Sequence, residues 1–452
     1  MKGDLTQGPI LRTLVLFSIP ALMSNLLQTL GGTINTIWVG QLLGEGALAA
    51  TAVANIVVFV AFAAVFGFGM ATTVKVGQSF GGRDVDGMRR TFGTGTGFCV
   101  ALSAAGAGLG WLFAEDLLHL MATPQAIRGD AMPYLQVSFL GMPIGTLGMM
   151  IGMGLRGTGD AKTPLYSNIL TVALGIGLNP LFILGFGPIP PLGVAGSAVA
   201  TLVAGLIGAG WMVSWLYLRD LPLRLRGAEL RYILPLREEL GYVLAKGLPM
   251  GAQMMINSAA AMIMVGLVNR EGMITTAAYG AVMQIWNYIQ MPAFAISMAV
   301  SAMVAQNIGA GHHDRVSAVT RAGVGVNTVA TVVLSGLILV FDGPLLALFL
   351  GHGSAAIPVA EHMQNLSTTA WVLSGMMMIM SGTLRAYGVV VVPLIVMVIS
   401  QYPARLGFYY AFYEALGADA LWLSYPFGAG VALLLTWWVY ARGSWRKVHL
   451  PH

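Results

Sequence analysis

Charged side chains are scarce in this chain: they make up 9% of its 452 residues, while 57% are hydrophobic. A soluble domain carries about a quarter charged residues, so water is excluded as the main solvent. Cysteine is nearly absent as well. Cys99 stands alone, which excludes an internal disulfide and leaves the redox compartment open. No short apolar core ending in a small-residue cleavage site follows Arg12, so a cleavable signal peptide is not expected. Acids are missing where they would matter most: apart from Asp342 and Glu361 near helix ends, none lies within an apolar segment. No His, Cys or acid cluster sits in those segments either, which argues against an enzyme.

What fills the chain instead is apolar sequence. Eleven runs without a charge, from 13–44 to 420–441, reach the roughly 20 residues that cross a bilayer core. The run 163–218 is broken by "GFGPIPPLG" (185–193) and holds a helix on each side, which gives twelve spanning helices and no separate soluble domain. The net charge of +5 could suggest nucleic acid, but the basic residues are sorted by side. On a twelve-helix plan, twenty Lys and Arg fall on one face. Arg128 and Arg270 fall on the other, and Arg405 lies within a helix. That asymmetry predicts an inner (plasma) membrane protein with cytoplasmic N- and C-termini and no nucleic-acid partner. Trp211, Trp215 and Tyr217, and later Trp437, Trp438 and Tyr440, are placed as interfacial anchors.

The chain is also written twice. "VGQSFGG" (76–82) returns as "VAQNIGAG" (304–311), and "LRGTGDAKTP" (155–164) as "LRAYGVVVVP" (384–393). Pro20 and Pro249, Arg156 and Arg385, Gly159 and Gly388, and Pro164 and Pro393 keep one spacing. Six helices separate the copies, so both cross in the same direction. This predicts two six-helix lobes related by a pseudo-twofold axis along the membrane normal. The expected organisation is residues 1–218, a cytoplasmic linker 219–246, and residues 247–452. Rocking lobes suit alternating access better than a channel, which needs a ring of subunits or a filter.

Together these signatures, with "GDLTQGPILRTLVLFSIP" at the start and "INTIWVGQLLG" in the first helix, resemble the multidrug and toxin extrusion family over essentially the full length. The resemblance implies an all-α integral membrane exporter of small amphipathic, drug-like, often cationic compounds. It exchanges them for protons or sodium ions and has no other cofactor.

Several motifs carry competing readings. "RGTGDAKTP" is not a phosphate loop, because Ala161 precedes Lys162 and no strand comes before it. It reads as a tight cytoplasmic turn, with Arg156, Asp160 and Arg385 as candidates for a cytoplasmic gate. His312, His313 and Asp314 are adjacent on a loop without a second cluster, so no metal site is expected. Glu361 and His362 offer proton handling or ordinary helix-entry chemistry. The 27 methionines, Met254 and Met378 among them, suit an adaptable pocket or lipid-facing filler equally. Pro20 and Pro249 are placed as hinges, since each removes one helical hydrogen bond.

The resemblance also implies carboxylates for the driving cation, and this chain lacks them. Asn35 precedes "TIWVG", Asn179 precedes the proline of "GLNPLFI", Asn257 lies eight residues past Pro249, and Ser374 lies eleven before Arg385. Asn neither gains nor loses a proton at physiological pH, so proton coupling through Asn35 and Asn179 is not expected. Three routes stay open: sodium held by amide oxygens, with Gln28, Gln253, Gln284, Asn287 and Gln290 assisting; a titrating substrate; or an anionic substrate received by Arg405, which can equally snorkel to headgroups. Interhelical hydrogen bonding alone would also account for both amides. The partners expected are small molecules and the lipid bilayer, with the chain a monomer. A flippase-like transporter of a lipid-linked or anionic substrate is the alternative, and a receptor without transport is disfavoured by the duplicated halves.

Overall fold

The computed structural model describes residues 2–447, and among them there is no β-strand. In order come α1 (Ile10–Leu43), α2 (Glu45–Gly81), α3 (Val85–Leu112), the short α4 (Ala114–Leu120), α5 (Gln125–Gly157), α6 (Lys162–Leu184) and α7 (Val194–Leu218). A 3₁₀ stretch, Gly227–Ile233, leads into α8 (Arg237–Asn269), α9 (Met273–Gly309), α10 (His313–Val340), α11 (Asp342–Leu350), α12 (Ala356–Ser367) and α13 (Thr369–Ala386). After α14 (Val391–Ile399) a π-helical turn, Ser400–Ala404, passes into α15 (Arg405–Leu416), and α16 (Asp419–Arg442) follows.

Eleven of these segments are long and apolar enough to cross a membrane, with α14 through α15 counted as one. The twelfth crossing is α12 with α13, interrupted at Thr368; Glu361, His362, Gln364 and Asn365 make its first half too polar to stand out. The chain is an all-α integral membrane protein with twelve spanning helices. The turns that close these helices follow local chemistry. The Asp84 carboxylate accepts from Gly87 N at 2.9 Å to start α3. Gly159 and Gly388, at equivalent places in the two halves, take φ of 80° and 76°, where only glycine is unstrained.

The fold divides into two compact units, Met1–Asp4 with Met23–Gly251, and Leu5–Leu22 with Ala252–His452. The units meet along the chain at Leu22/Met23 and Gly251/Ala252. The start of α1 belongs with the second unit, where Leu5 N donates to Gln306 Oε1 at 2.8 Å and Arg315 Nη2 to the Gly8 carbonyl at 3.2 Å. The segment 219–246 packs within the first unit. There Arg89 pairs with Glu229 at 2.8 Å, and Thr94 Oγ1 donates to the Tyr232 carbonyl at 3.2 Å.

In the first unit, Ala47, Ala50 and Ala54 of α2 pack with Tyr134, Leu135 and Phe139 of α5 and Ile183 of α6. Small residues let α2 meet the start of α8 backbone to backbone. A Cβ added at Gly67 would lie 2.2 Å from Gly251 N and 2.4 Å from the Gly247 carbonyl oxygen. The second unit is built around rings: Trp286 lies 5.0 Å from both Trp371 and Tyr425, and Tyr279 stacks 5.9 Å from Trp422.

Candidate functional site

The first unit contains a cavity of about 390 Å³, open on one side, lined by α1, α2, α5, α6 and α7. Gly32, Asn35, Thr36 and Val39 recur at helical spacing along one face of α1, which is why they line it together. Asn55 and Phe62 of α2, Tyr134 and Ser138 of α5, and Ser197 and Thr201 of α7 supply the rest of its character. Tyr134 OH donates to Asn55 Oδ1 at 3.1 Å, and Ser138 Oγ to its own helix at Tyr134 O, 2.7 Å. No carboxylate lines this wall. Its polarity comes from amides and hydroxyls.

Two residues singled out by sequence meet beside this cavity. Asn179 Nδ2 donates to Asn35 Oδ1 at 2.5 Å and to the Gly175 carbonyl at 2.8 Å, while Asn35 Nδ2 donates to Thr201 Oγ1 at 2.9 Å. Asn179 is buried, and its Oδ1 accepts no hydrogen bond among the described residues. An unmet buried acceptor suits a donor or a cation. Thr201, Asn55 and Tyr134 escaped the sequence reading. Hydroxyls and single amides are common in membrane helices, and only the pairing of α1, α2, α5 and α7 shows that these face one space.

The two candidates in the second unit do not form such a pair. Asn257 Oδ1 accepts from Gln401 Nε2 at 3.2 Å, and Ser374 is half-buried on α13 without a hydrogen bond to it. Of the other polar candidates, Gln253 is buried and donates to the Val390 carbonyl at 3.3 Å, whereas Gln28, Gln284 and Asn287 are exposed and Gln290 is half-buried. Met254 and Met378 are half-buried, as is Pro249, while Pro20 is buried. Arg405 does not snorkel: it is 7% exposed, with its guanidinium 4.0 Å from the Tyr425 ring centroid.

The gate candidates each find partners within their own unit. Arg156 Nη2 donates to Ser24 Oγ at 3.3 Å, and Arg385 Nη2 to Ser297 Oγ at 3.1 Å. Asp160 does not pair with Arg156. Its oxygens accept from Lys162 N, Thr163 N and, at 2.6 Å, Thr163 Oγ1, capping α6. On the segment after α7, the Arg226 backbone N–H and the Arg89 guanidinium hold the Glu229 carboxyl below its usual range. Tyr232 OH donates to Asp86 at 2.6 Å, which raises that phenol. Of the acids near helix ends, Asp342 is buried and accepts from Gln364 Nε2 at 3.2 Å, and Gln364 Oε1 accepts from Trp286 Nε1 at 2.8 Å. His362 lies 2.8 Å from Asp419. Among the described residues no cluster of three or more His, Cys, Asp or Glu could hold a metal ion.

Comparison with known proteins gives the same repeat and the same architecture. The MatE family model matches the chain twice, over residues 20–181 and 249–411. The probable multidrug resistance protein YoeA of Bacillus subtilis (strain 168) is 33% identical over 440 residues, covering 96% of this chain and 94% of that protein. The probable multidrug resistance protein YpnP of the same organism is 30% identical over 455 residues, covering 99% and 98%. Among solved structures, the outward-facing conformation of a multidrug resistance MATE family transporter of the MOP superfamily superposes with a TM-score of 0.89 at 23% identity, covering 99% of each chain.

Proposed function

This chain belongs to the MatE family, as a multidrug efflux transporter and not an enzyme, and on that premise we propose that it exports small amphipathic organic compounds, cations included, by alternating access in exchange for sodium ions. The reading places it in the inner membrane as a monomer, and its one-sided Lys and Arg support cytoplasmic termini. The two repeats would move as bodies about Pro20 and Pro249. The boundary between the compact units supports this, because it falls at Leu22/Met23 and Gly251/Ala252, just past each proline.

The observation that carries the coupling is the amide pair Asn35–Asn179 with its unmet Asn179 Oδ1. Amide and hydroxyl oxygens can coordinate sodium but hold no proton near neutrality. The neighbouring cavity supports the substrate class: its apolar and aromatic lining suits organic rings, and its neutral amides and hydroxyls orient them without demanding one charge. Uptake of ethidium into proteoliposomes tests this. A sodium gradient alone should drive it and a pH gradient alone should not. Equal drive by a pH gradient alone would overturn sodium coupling, and no drive by either would overturn exchange with both ions.

A further inference from the structure

Arg405 lies well inside the eleventh spanning segment, Val391–Leu416, where a charge is costly to bury. It is 7% exposed, yet no Asp or Glu pairs with it among the described residues. Its Nη1 donates to Gln401 Oε1 and its guanidinium stacks 4.0 Å from the Tyr425 centroid. Neither contact supplies a negative charge. Among the described residues its Nε and Nη2 are buried and have no hydrogen-bond partner, and the same holds for Trp371 Nε1, whose ring lies 6.0 Å from that of Tyr425. All three orphaned atoms are donors, and none can accept. Buried donors left without acceptors ask for a ligand rich in acceptor oxygens.

The surroundings are shaped for this arginine. The π-helical turn Ser400–Ala404, which contains Pro403, immediately precedes it; such turns re-aim side chains and recur at functional sites. Gly428 of α16 makes room for its stem: a Cβ there would lie 2.3 Å from Arg405 Cγ and 2.9 Å from Cδ. From the guanidinium a chain of amides leads through Gln401 to Asn257, which is exposed.

We propose that Arg405, with Trp371 across the Tyr425 ring, is a recognition site for the carboxylate or phosphate group of an aromatic substrate. The guanidinium fork meets two oxygens and the indole N–H a third acceptor position, while Trp371 and Tyr425 provide ring surface for the rest of the molecule. This deepens the transport reading and rests on it for the meaning of the site, since a bound organic anion is cargo only if the chain exports.

Three probes with one ring test it: naphthoate, naphthyl phosphate and naphthyl-trimethylammonium. Each is titrated calorimetrically into the purified chain in detergent, then offered for uptake into proteoliposomes. The unsubstituted chain should bind the carboxylate or the phosphate, and the stronger of the two identifies the group. Arg405→Gln should weaken that anion by roughly tenfold or more, as expected for a lost charge-assisted fork, and leave the cation unchanged. Trp371→Phe keeps an aromatic ring and removes one donor, so it should weaken the anion several-fold; it also keeps the test alive if Arg405→Gln fails to fold. Absence of anion binding in the unsubstituted chain, or equal loss of anion and cation in both variants, would overturn the site. If the anion binds but no probe is taken up, the transport reading fails and the site stands.

Discussion

Asn179 Nδ2 sits 2.5 Å from Asn35 Oδ1, so α6 and α1 are joined by one amide pair at the position where the resemblance implies carboxylates. Asn35→Asp would place a titratable acid against the Asn179 amide. A mid-membrane carboxylate with few donors has its proton favoured by burial. Ethidium uptake by the variant should therefore respond to a pH gradient that leaves the unsubstituted chain unmoved. Uptake with the same ion dependence in both would count against a coupling role for the pair.

The approach of α2 to the start of α8 sets a second expectation. A methyl at Gly67 would land 2.2 Å from Gly251 N and 2.4 Å from the Gly247 carbonyl, both backbone atoms that yield only by moving a helix. Gly67→Ala should destabilise by about 1–3 kcal/mol, the usual cost of overpacking, and lower the thermal midpoint in detergent. Gly106→Ala, which meets nothing within 4 Å, is the control and should leave the midpoint in place. A matching midpoint for the two variants would show that the close approach is not needed.

Much of this was legible beforehand because hydrophobic length and repeat spacing are written in one dimension. Twelve crossings and the Pro20–Pro249 repeat follow from such patterns, whereas Asn35 and Asn179 are marked by the family resemblance and their meeting shows only in the structure. Asn257 and Ser374 are marked by the same resemblance, and in the structure Asn257 accepts from Gln401 while Ser374 is half-buried on α13. Asp160 had a local use that its charge concealed: three donors at the start of α6 occupy it. The segment 219–246 is rich in arginine, and Arg89 and Thr94 of α3 hold it down through partners more than a hundred residues away. Arg405 could not be settled by sequence at all. Whether an arginine reaches out or turns in depends on a glycine, Gly428, one helix later.

The docked segment gives a pH expectation. Glu229 has its folded pKa held below the unfolded value, first by the Arg226 backbone N–H and also by Arg89. Its contribution is thus present at neutral pH and lost as pH falls through the carboxylate range, near pH 4 and below. Hydrogen exchange at 226–236 should quicken on acidification through that range. Glu229→Gln should show the faster exchange already at neutral pH, with little further change. Unaltered protection in the variant would mean that Thr94 and Tyr232 hold the segment without the ion pair.

The two prolines carry the last expectation. α8 runs unbroken from Arg237 to Asn269 although Pro249 lacks the N–H that would bond the Ala245 carbonyl, and α1 has the same gap between Pro20 and Leu16. The compact units divide just past each of these weakened turns. Restoring the N–H with Pro20→Ala or Pro249→Ala adds a helical hydrogen bond and removes a place where the helix can bend. Neither change should lower the thermal midpoint, yet each should slow transport several-fold, and together they should slow it more. Full transport in the double variant would show that the helices bend elsewhere. Slow transport with a lowered midpoint would show that the prolines serve packing and not movement.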